Sequence, residues 1–437
     1  MKLPRLLTAL HCFLVQRRET LCFDDIPDPR KPRGVRWALP TLLSTALLGM
    51  LVLSRSLRAA ESFSGDLARA RRRFGIDRRV PDSTLGDALA RLDPEPLREH
   101  LHKQVRAEHR RKALVPTVVP IGAVSLDGKE NGRFDQRVHP ACQEQTGTDG
   151  KPQWAFRVMN ATLISSAAAV CIDQLPIAAD TNEMGTYQKA VDALLLAYGR
   201  SDLIELFMSD AGMTSEANAR YVDEKHLAYV EAIKGNQPEL QAEARRVFAA
   251  QTASQEPEVQ TPWEVDSSRG RICRQLYRSA QMAGWGDWSH LRQVWLVRVL
   301  RHPGFVDGQE CLGPVQLLED RLYATNLVWG RLKGPEIEQL VRAHWRCENN
   351  LHGTMDIQWK EDSGLWVRRG NGLPVCGLLR ALAYNLLALL RAVHLRSVDS
   401  REARWQQLRD WMRDTLLWMP SLSRPLDSAW EDAAVTP

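Results

Sequence analysis

Over the first 113 or so residues, apolar positions recur with the 3.6-residue period of helices. Leu43, Ala46, Leu47, Met50 and Leu51 form one stripe behind Pro40, a residue suited to a first helical turn. Pro81-Asp82-Ser83-Thr84 supplies a helix start before Leu85, Ala88, Leu89 and Leu92. Pro94-Glu95-Pro96 then breaks the chain before a helix to about Leu114. From Pro116 the pattern changes to apolar or alternating runs rich in Val, Ile and Thr, which predict strands at 117–127, 155–166 and 168–177. A helix pattern over 186–198 ends at Gly199. It is followed by a buried strand at 203–209, a helix at 214–223, a strand at 228–233 and a helix from Pro238 to about Ala249. Alternation returns at 271–277, 294–299 and 321–326. Helical periodicity resumes at Pro335, in the strongly apolar 374–397 and in the Trp-rich 405–418, an amphipathic helix for the core or a second subunit to cover.

Three strands, helix, strand, helix, strand, helix is the order of an RNase H-like fold of the retroviral-integrase superfamily, an α/β class. The expected organisation is a helical, DNA-contacting domain at 1–114 and the first part of the core at 115–251. A β-rich insertion at 252–333, closing core helices at 334–398 and a helical tail at 399–437 complete it. In such a fold the first strand's centre or end and the fourth strand's end lie side by side.

Composition narrows the class. At 437 residues, 44% hydrophobic and 25% charged, the chain has the make-up of a globular protein with a large core. The net charge of +5 is small but clustered, in RARRRFGIDRR from Arg69 and RAEHRRK from Arg106, as suits a phosphate backbone or a solvated helical face. Eight cysteines without a CxxC pair argue against a zinc module or disulfide framework and fit a reducing cytosol. No cleavable signal peptide is evident, and the apolar stretch 38–53 is shorter than a bilayer span, so a buried helix is expected there.

Candidate chemistry rests on three acids. Asp127 ends the run Val118 to Leu126, Asp210 ends Leu203 to Ser209, and Glu348 lies in the helical stretch 335–352. Two carboxylates at strand tips and a third on a returning helix can converge on a pair of divalent cations. Each acid alone is as readily a cap or turn former. Gly128 permits close approach of a ligand, and Lys129 can meet a phosphate. At 3.6 residues per turn, His344, Glu348 and His352 stack on one helix face, a weak zinc pattern. More plausible functionally are histidines that hydrogen-bond a scissile phosphate or a metal-bound water, against a plain polar face. Asp356, Glu361 and Asp362 are rival third carboxylates.

LDGK, SDAGMTS, IKGNQPEL and RAHWRCENNLH…DIQWKED, in that order, resemble the DDE transposases of bacterial insertion sequences, in the group containing the H-repeat-associated proteins. IPDPRKPRGVRWALPTLL and RRVPDSTLGDALARLDPEPL resemble that group's N-terminal region, so the likeness spans roughly residues 20–395. SRGRICRQLYR is similar to the family's basic strand in the insertion. The resemblance implies that Asp127, Asp210 and Glu348 bind two Mg²⁺, with Mn²⁺ able to substitute. It also implies hydrolysis at transposon ends, attack of the freed 3′-hydroxyl on target DNA, and a homodimer that pairs two ends in the bacterial cytoplasm at the nucleoid. Glu130-Asn131-Gly132-Arg133 after LDGK, Cys347 and Gly353 depart from the family pattern without removing a ligand. Double-stranded DNA contacts are expected from Arg69, Arg71, Arg72, Arg73, Arg110, Arg111 and Lys112, and from Arg269, Arg271 and Arg274. Lys129, Lys234, Arg342, Arg368, Arg369, His344 and His352 are expected near the metals. A silent DNA-binding descendant, or a metal-dependent nuclease without strand transfer, are the alternatives.

Overall fold

The computed structural model describes residues 3–418 except 34, 68–71, 73, 77, 267–269, 303–304, 307–308, 311–313 and 396. Arg69, Arg71, Arg73 and Arg269 therefore lie outside the described residues. The N-terminal segment folds as α1 (Leu3–Gln16), α2 (Arg18–Leu21), α3 (Leu39–Leu51), α4 (Leu57–Asp66), α5 (Asp82–Arg91) and α6 (Pro94–Arg110). Pro40 stands in the first turn of α3 as its fixed φ allows, and the Asp93 carboxylate caps α6 on the Glu95 amide at 3.1 Å. α3 is buried along almost its whole length. The apolar stretch at 38–53 is thus a core helix.

β1 (Ala123–Phe134), β2 (Gln143–Thr146), β3 (Pro152–Leu163) and β4 (Cys171–Pro176) come next, followed by α7 (Glu183–Tyr198), β5 (Leu206–Ser209), α8 (Glu216–Glu224), β6 (Ala228–Ile233) and α9 (Pro238–Ser254). β1 pairs antiparallel with β3 and parallel with β5, which pairs parallel with β6, while β4 lies antiparallel beyond β3. β1 runs past Asp127 to Phe134, bulging between Glu130 and Arg133, where Gly132 takes φ 148°. The segment after α9 forms β7 (Val259–Gln260), β8 (Glu264–Asp266), β9 (Gly270–Ser279), β10 (Gln293–His302), a small ribbon of β11 (Phe305–Val306) and β12 (Gln309–Glu310), and β13 (Gln316–Thr325). β13 pairs antiparallel with β6, so the β-rich segment extends the central sheet in the order β2-β3-β1-β5-β6-β13-β10-β9-β7.

α10 (Gly334–Arg346) crosses one face of this sheet, and α11 (Gly353–Trp359), α12 (Gly372–Leu389), α13 (Val398–Arg401) and α14 (Trp405–Trp418) follow. Alternate strand residues sort to opposite faces. Ala123, Leu206, Met208 and Val230 pack with Ile337, Leu340 and Val341 of α10. Val124, Leu126, Phe207 and Tyr229 join a second core with α7, α12 and the N-terminal helices. That core is continuous from Leu10 of α1 to Met412 of α14, so the helical N-terminal segment shares its apolar interior with the sheet. Buried charge ties the same parts together: Arg98 of α6 holds the Asp173 carboxylate of β4 through Nε and Nη2 at 2.7 and 2.5 Å. One described helical stretch, Gly372–His394, is long and apolar enough to cross a membrane, and it is enclosed by protein.

Candidate active site

The site sits where two parallel strands part. The β1–β5 register ends at Leu126 opposite Ser209, so the next residue on each strand, Asp127 and Asp210, stands at the mouth of a fork. Alternation along β1 puts Asp127 on the face of Ser125, whose hydroxyl hydrogen-bonds His344 Nδ1 of α10 at 3.0 Å. Asp210 caps the short 3-10 turn Ala211–Met213, accepting from the Ala211 amide at 2.6 Å, and Lys234 Nζ lies 3.5 Å from its Oδ1.

The third acid arrives on a distorted helix. α10 passes into one π-helical stretch, Cys347–His352, and Glu348 lies on it. Such widened turns recur at functional sites because they re-aim a side chain. Arg346 anchors the junction by donating to the carbonyls of Ile164, Ser166 and Ala167 at 2.6 to 2.7 Å. Of the three residues expected to stack on one helix face, His344 and Glu348 line one cleft and His352 faces Asp127. The wider turn leaves Glu348 exposed while both imidazoles are buried against the sheet.

His352 is held by a chain of two amides, one on β4 and one on β3 beside β1. Gln174 Nε2 donates to Asn160 Oδ1 at 3.0 Å, and Asn160 Nδ2 donates to His352 Nε2 at 2.9 Å. The remaining ring nitrogen, Nδ1, then carries the proton and faces Asp127 Oδ2 at 3.4 Å. Burial pushes His344 down to about 4 and His352 down to about 3, so both are neutral near pH 7. Neutral, enclosed imidazoles are positioned to orient Ser125 and Asp127. His344 also lines the cleft that holds Asp210, Lys234 and Glu348.

Lys129, expected to meet a phosphate, is engaged within the protein. Its ammonium is buried, 2.7 Å from both Asp356 and Glu361, and Arg380 Nη1 lies 3.3 Å from the other oxygen of Glu361. This cluster also disposes of two rival acids. Glu361 and Asp356 are neutralised by buried cations, and Asp362 is exposed, accepting from the Ser363 hydroxyl at 3.1 Å. Lys234 is exposed beside Asp210. Arg342 pairs with Glu264 at 3.0 Å, Arg274 with the same carboxylate at 3.2 Å, and Arg271 is half-buried. Arg72, Arg110, Arg111, Lys112, Arg368 and Arg369 are exposed, away from the three acids in sequence, with Arg111 pairing Glu108 and Arg369 pairing Asp87.

The electrostatics single out Asp127 and Glu348. Burial raises the Asp127 carboxyl to about 8, and the negative charges of Glu348, Glu183 and Asp210 add to that effect. Burial and Asp210 also raise Glu348, opposed by Lys234 and Arg321. With Asp210 beside them, these carboxylates offer hard oxygen donors of the kind a divalent cation takes. Asp127, Cys347 and His352 also bring ligand atoms within 4.8 Å of one another. There, Thr162 already donates to the Cys347 thiol at 3.1 Å and Asn160 to the imidazole.

Sequence reasoning missed the Gln174–Asn160–His352 chain, Glu183 and the Arg321–Trp345 pair, in which the guanidinium lies 4.7 Å over the indole. These two line a cleft of about 370 Å³ with Asp210, Lys234 and Glu348.

The sequence model of the family described as Transposase DDE domain matches residues 132–386, more than half of the chain, and contains Asp210 and Glu348, while Asp127 lies just before it. A second, described as DDE_Tnp_1-associated, matches residues 20–104. The chain is 21% identical over 376 residues to the putative transposase YncI of Escherichia coli O157:H7, covering 83% of this chain and 85% of that protein. Among solved structures, a piggyBac transposase synaptic complex with hairpin DNA aligns over 97% of this chain and 84% of that one, at 13% identity and a TM-score of 0.42. Matched across most of its sheet and two of its three converging acids, the chain belongs to the DDE transposase family.

Proposed function

We propose that this protein cuts DNA at transposon ends and transfers the freed strands into target DNA, using Asp127, Asp210 and Glu348 to hold two divalent cations. The observation that carries the reading is the fork: Asp127 and Asp210 as next neighbours beyond the last β1–β5 pair, coupled electrostatically to Glu348. The strand order β4-β3-β1-β5-β6, with β3 antiparallel to the other four, supports an RNase H-like core. Bound at these oxygens, Mg²⁺ or Mn²⁺ would lower the pKa of a water or 3′-hydroxyl nucleophile and stabilise the leaving oxygen.

The chain's own residues do the rest. His352, with its proton on Nδ1, holds Asp127 in place, and Arg346 holds the turn that presents Glu348. Lys234 and Arg321 flank the acids along the cleft, where they attract and position a phosphate backbone without reading sequence. Double-stranded DNA is the substrate under this reading, and synapsis of two ends calls for a homodimer. The test is Mg²⁺- or Mn²⁺-dependent cleavage of DNA carrying the element's terminal repeats, wild type beside Glu348→Gln. Cleavage lost in the variant with DNA binding kept is expected. Tight binding without cutting by the wild type under either metal would instead identify a silent DNA-binding descendant.

A further inference from the structure

The divalent-ion site is described above as a triad, but a fourth carboxylate reaches it. Glu183 opens α7, which packs on the sheet face opposite α10. Its first turn is capped independently, by the Asn182 side chain accepting from the Gly185 amide at 3.0 Å. The Glu183 side chain enters the fork from the α7 side.

Two glycines locate it. The Glu183 carboxylate lies against Gly128, so that any β-carbon at position 128 would collide with its Oε1. A β-carbon on Gly212, in the turn after Asp210, would stand 3.9 Å from its other oxygen. The carboxylate is therefore bracketed by the residue following Asp127 and the second residue following Asp210. Gly128, noted in the sequence as permitting close approach to a ligand, admits the Glu183 carboxylate here.

Glu183 is half-buried, and among the described residues no ion pair engages it. A glutamate in the first turn of a helix gains from the backbone amides wherever it points. The helix terminus therefore accounts for an acid at position 183 and not for its seat against Gly128 at the fork. A cation held at the fork does account for it. Two divalent ions carry four positive charges; three carboxylates leave one of them unmatched, and a fourth matches it.

We propose that Glu183 is a fourth carboxylate ligand of the divalent-ion site, reaching it through the gap left by Gly128 and Gly212. The proposal rests on the reading of Asp127, Asp210 and Glu348 as metal ligands. Its test therefore carries Asp210→Asn as a comparator. Mn²⁺ binding to the full-length protein is measured by electron paramagnetic resonance, and melting is followed with and without Mn²⁺.

Glu183→Gln is expected to weaken Mn²⁺ binding about tenfold or more, since affinity at such sites tracks ligand charge. In metal-free buffer it should melt at or above the wild-type temperature, because a repelling charge has gone, yet gain less on adding Mn²⁺. Gly128→Ala, which pushes the carboxylate away without changing charge, should reproduce the weakened binding. If Glu183→Gln binds Mn²⁺ as the wild type does while Asp210→Asn does not, the proposal fails and the triad stands. If neither substitution changes binding, the metal reading itself fails. A Glu183→Gln protein that melts lower both with and without Mn²⁺, by the same amount, assigns Glu183 a purely structural role and overturns the proposal.

Discussion

Crowding carboxylates at the fork of β1 and β5 has a stability cost that can be measured without any DNA. The perturbation is Asp127→Asn, which keeps the shape of the side chain and an oxygen facing His352 Nδ1 while removing the ionisation. The Asp127 carboxyl rises from 3.8 to about 8 in the folded protein. Between those two values the unfolded chain gives up the proton and the folded protein keeps it. The folded state then binds more protons, and its stability falls as pH rises, beginning near the unfolded pKa and levelling above the folded one. At about 1.4 kcal/mol per unit, a shift of this size approaches 5 kcal/mol by pH 7.5 before screening. Solvent on the open side of the cleft reduces that to about 2–4 kcal/mol.

The assay is denaturant unfolding in a chelator from pH 4.5 to 8.5, with wild type and Asp127→Asn side by side. The variant should be more stable at high pH, with a gap that widens from about pH 4.5 and flattens near pH 8. Adding Mg²⁺ should stabilise the wild type and close the gap, because a cation replaces the proton as the group that offsets the negative charge. Parallel stability curves across the pH range, or a variant that is less stable at pH 8, would refute the argument that these acids are crowded and uncompensated.

Other consequences can be checked by similar means. Glu231, fully buried in β6, has its carboxyl pushed well above the usual range by burial. Stability should therefore fall by about 1.4 kcal/mol per pH unit above the unfolded glutamate pKa for as long as the folded form keeps its proton, and Glu231→Gln should flatten that slope in pH-dependent unfolding. Lys129→Met leaves Glu361 with Arg380 alone and should cost about 3–5 kcal/mol in denaturant unfolding, with much of it recovered in the Lys129→Met, Glu361→Gln double variant. Lys234→Ala and Arg321→Ala should each weaken DNA binding uniformly across sequences and reduce the slope of log affinity against log salt by about one in a fluorescence titration. An unchanged slope removes that residue from the interface.

How much of this was legible in the sequence divides along physical lines. Period and punctuation are local properties, so β6 matches its expected bounds at 228–233, and α14 matches at 405–418. Asp127 and Asp210 each follow a buried apolar run, which made their positions accessible, although β1 continues past Asp127 to Phe134 rather than ending there. Three features depend on partners distant in the chain and were hidden for that reason. The π-helical turn that carries Glu348 is anchored by Arg346 on carbonyls some 180 residues earlier. The burial of Lys129 depends on Glu361 and Arg380, so a lysine beside a candidate metal ligand read as a phosphate contact although its charge is already spent. The continuity of β13 with β6 is a matter of register, which alternation within 321–326 cannot supply. Glu183 lies between these cases. Its helix start, with Asn182 ahead of it, carries an ordinary capping signal, and Gly128 carries an ordinary signal of close approach. Only the fork in the sheet joins the two, by placing that helix terminus opposite that glycine. Asp127 and Asp210 could be picked out from the apolar runs before them, and Glu183 only after asking what required the glycine beside the first.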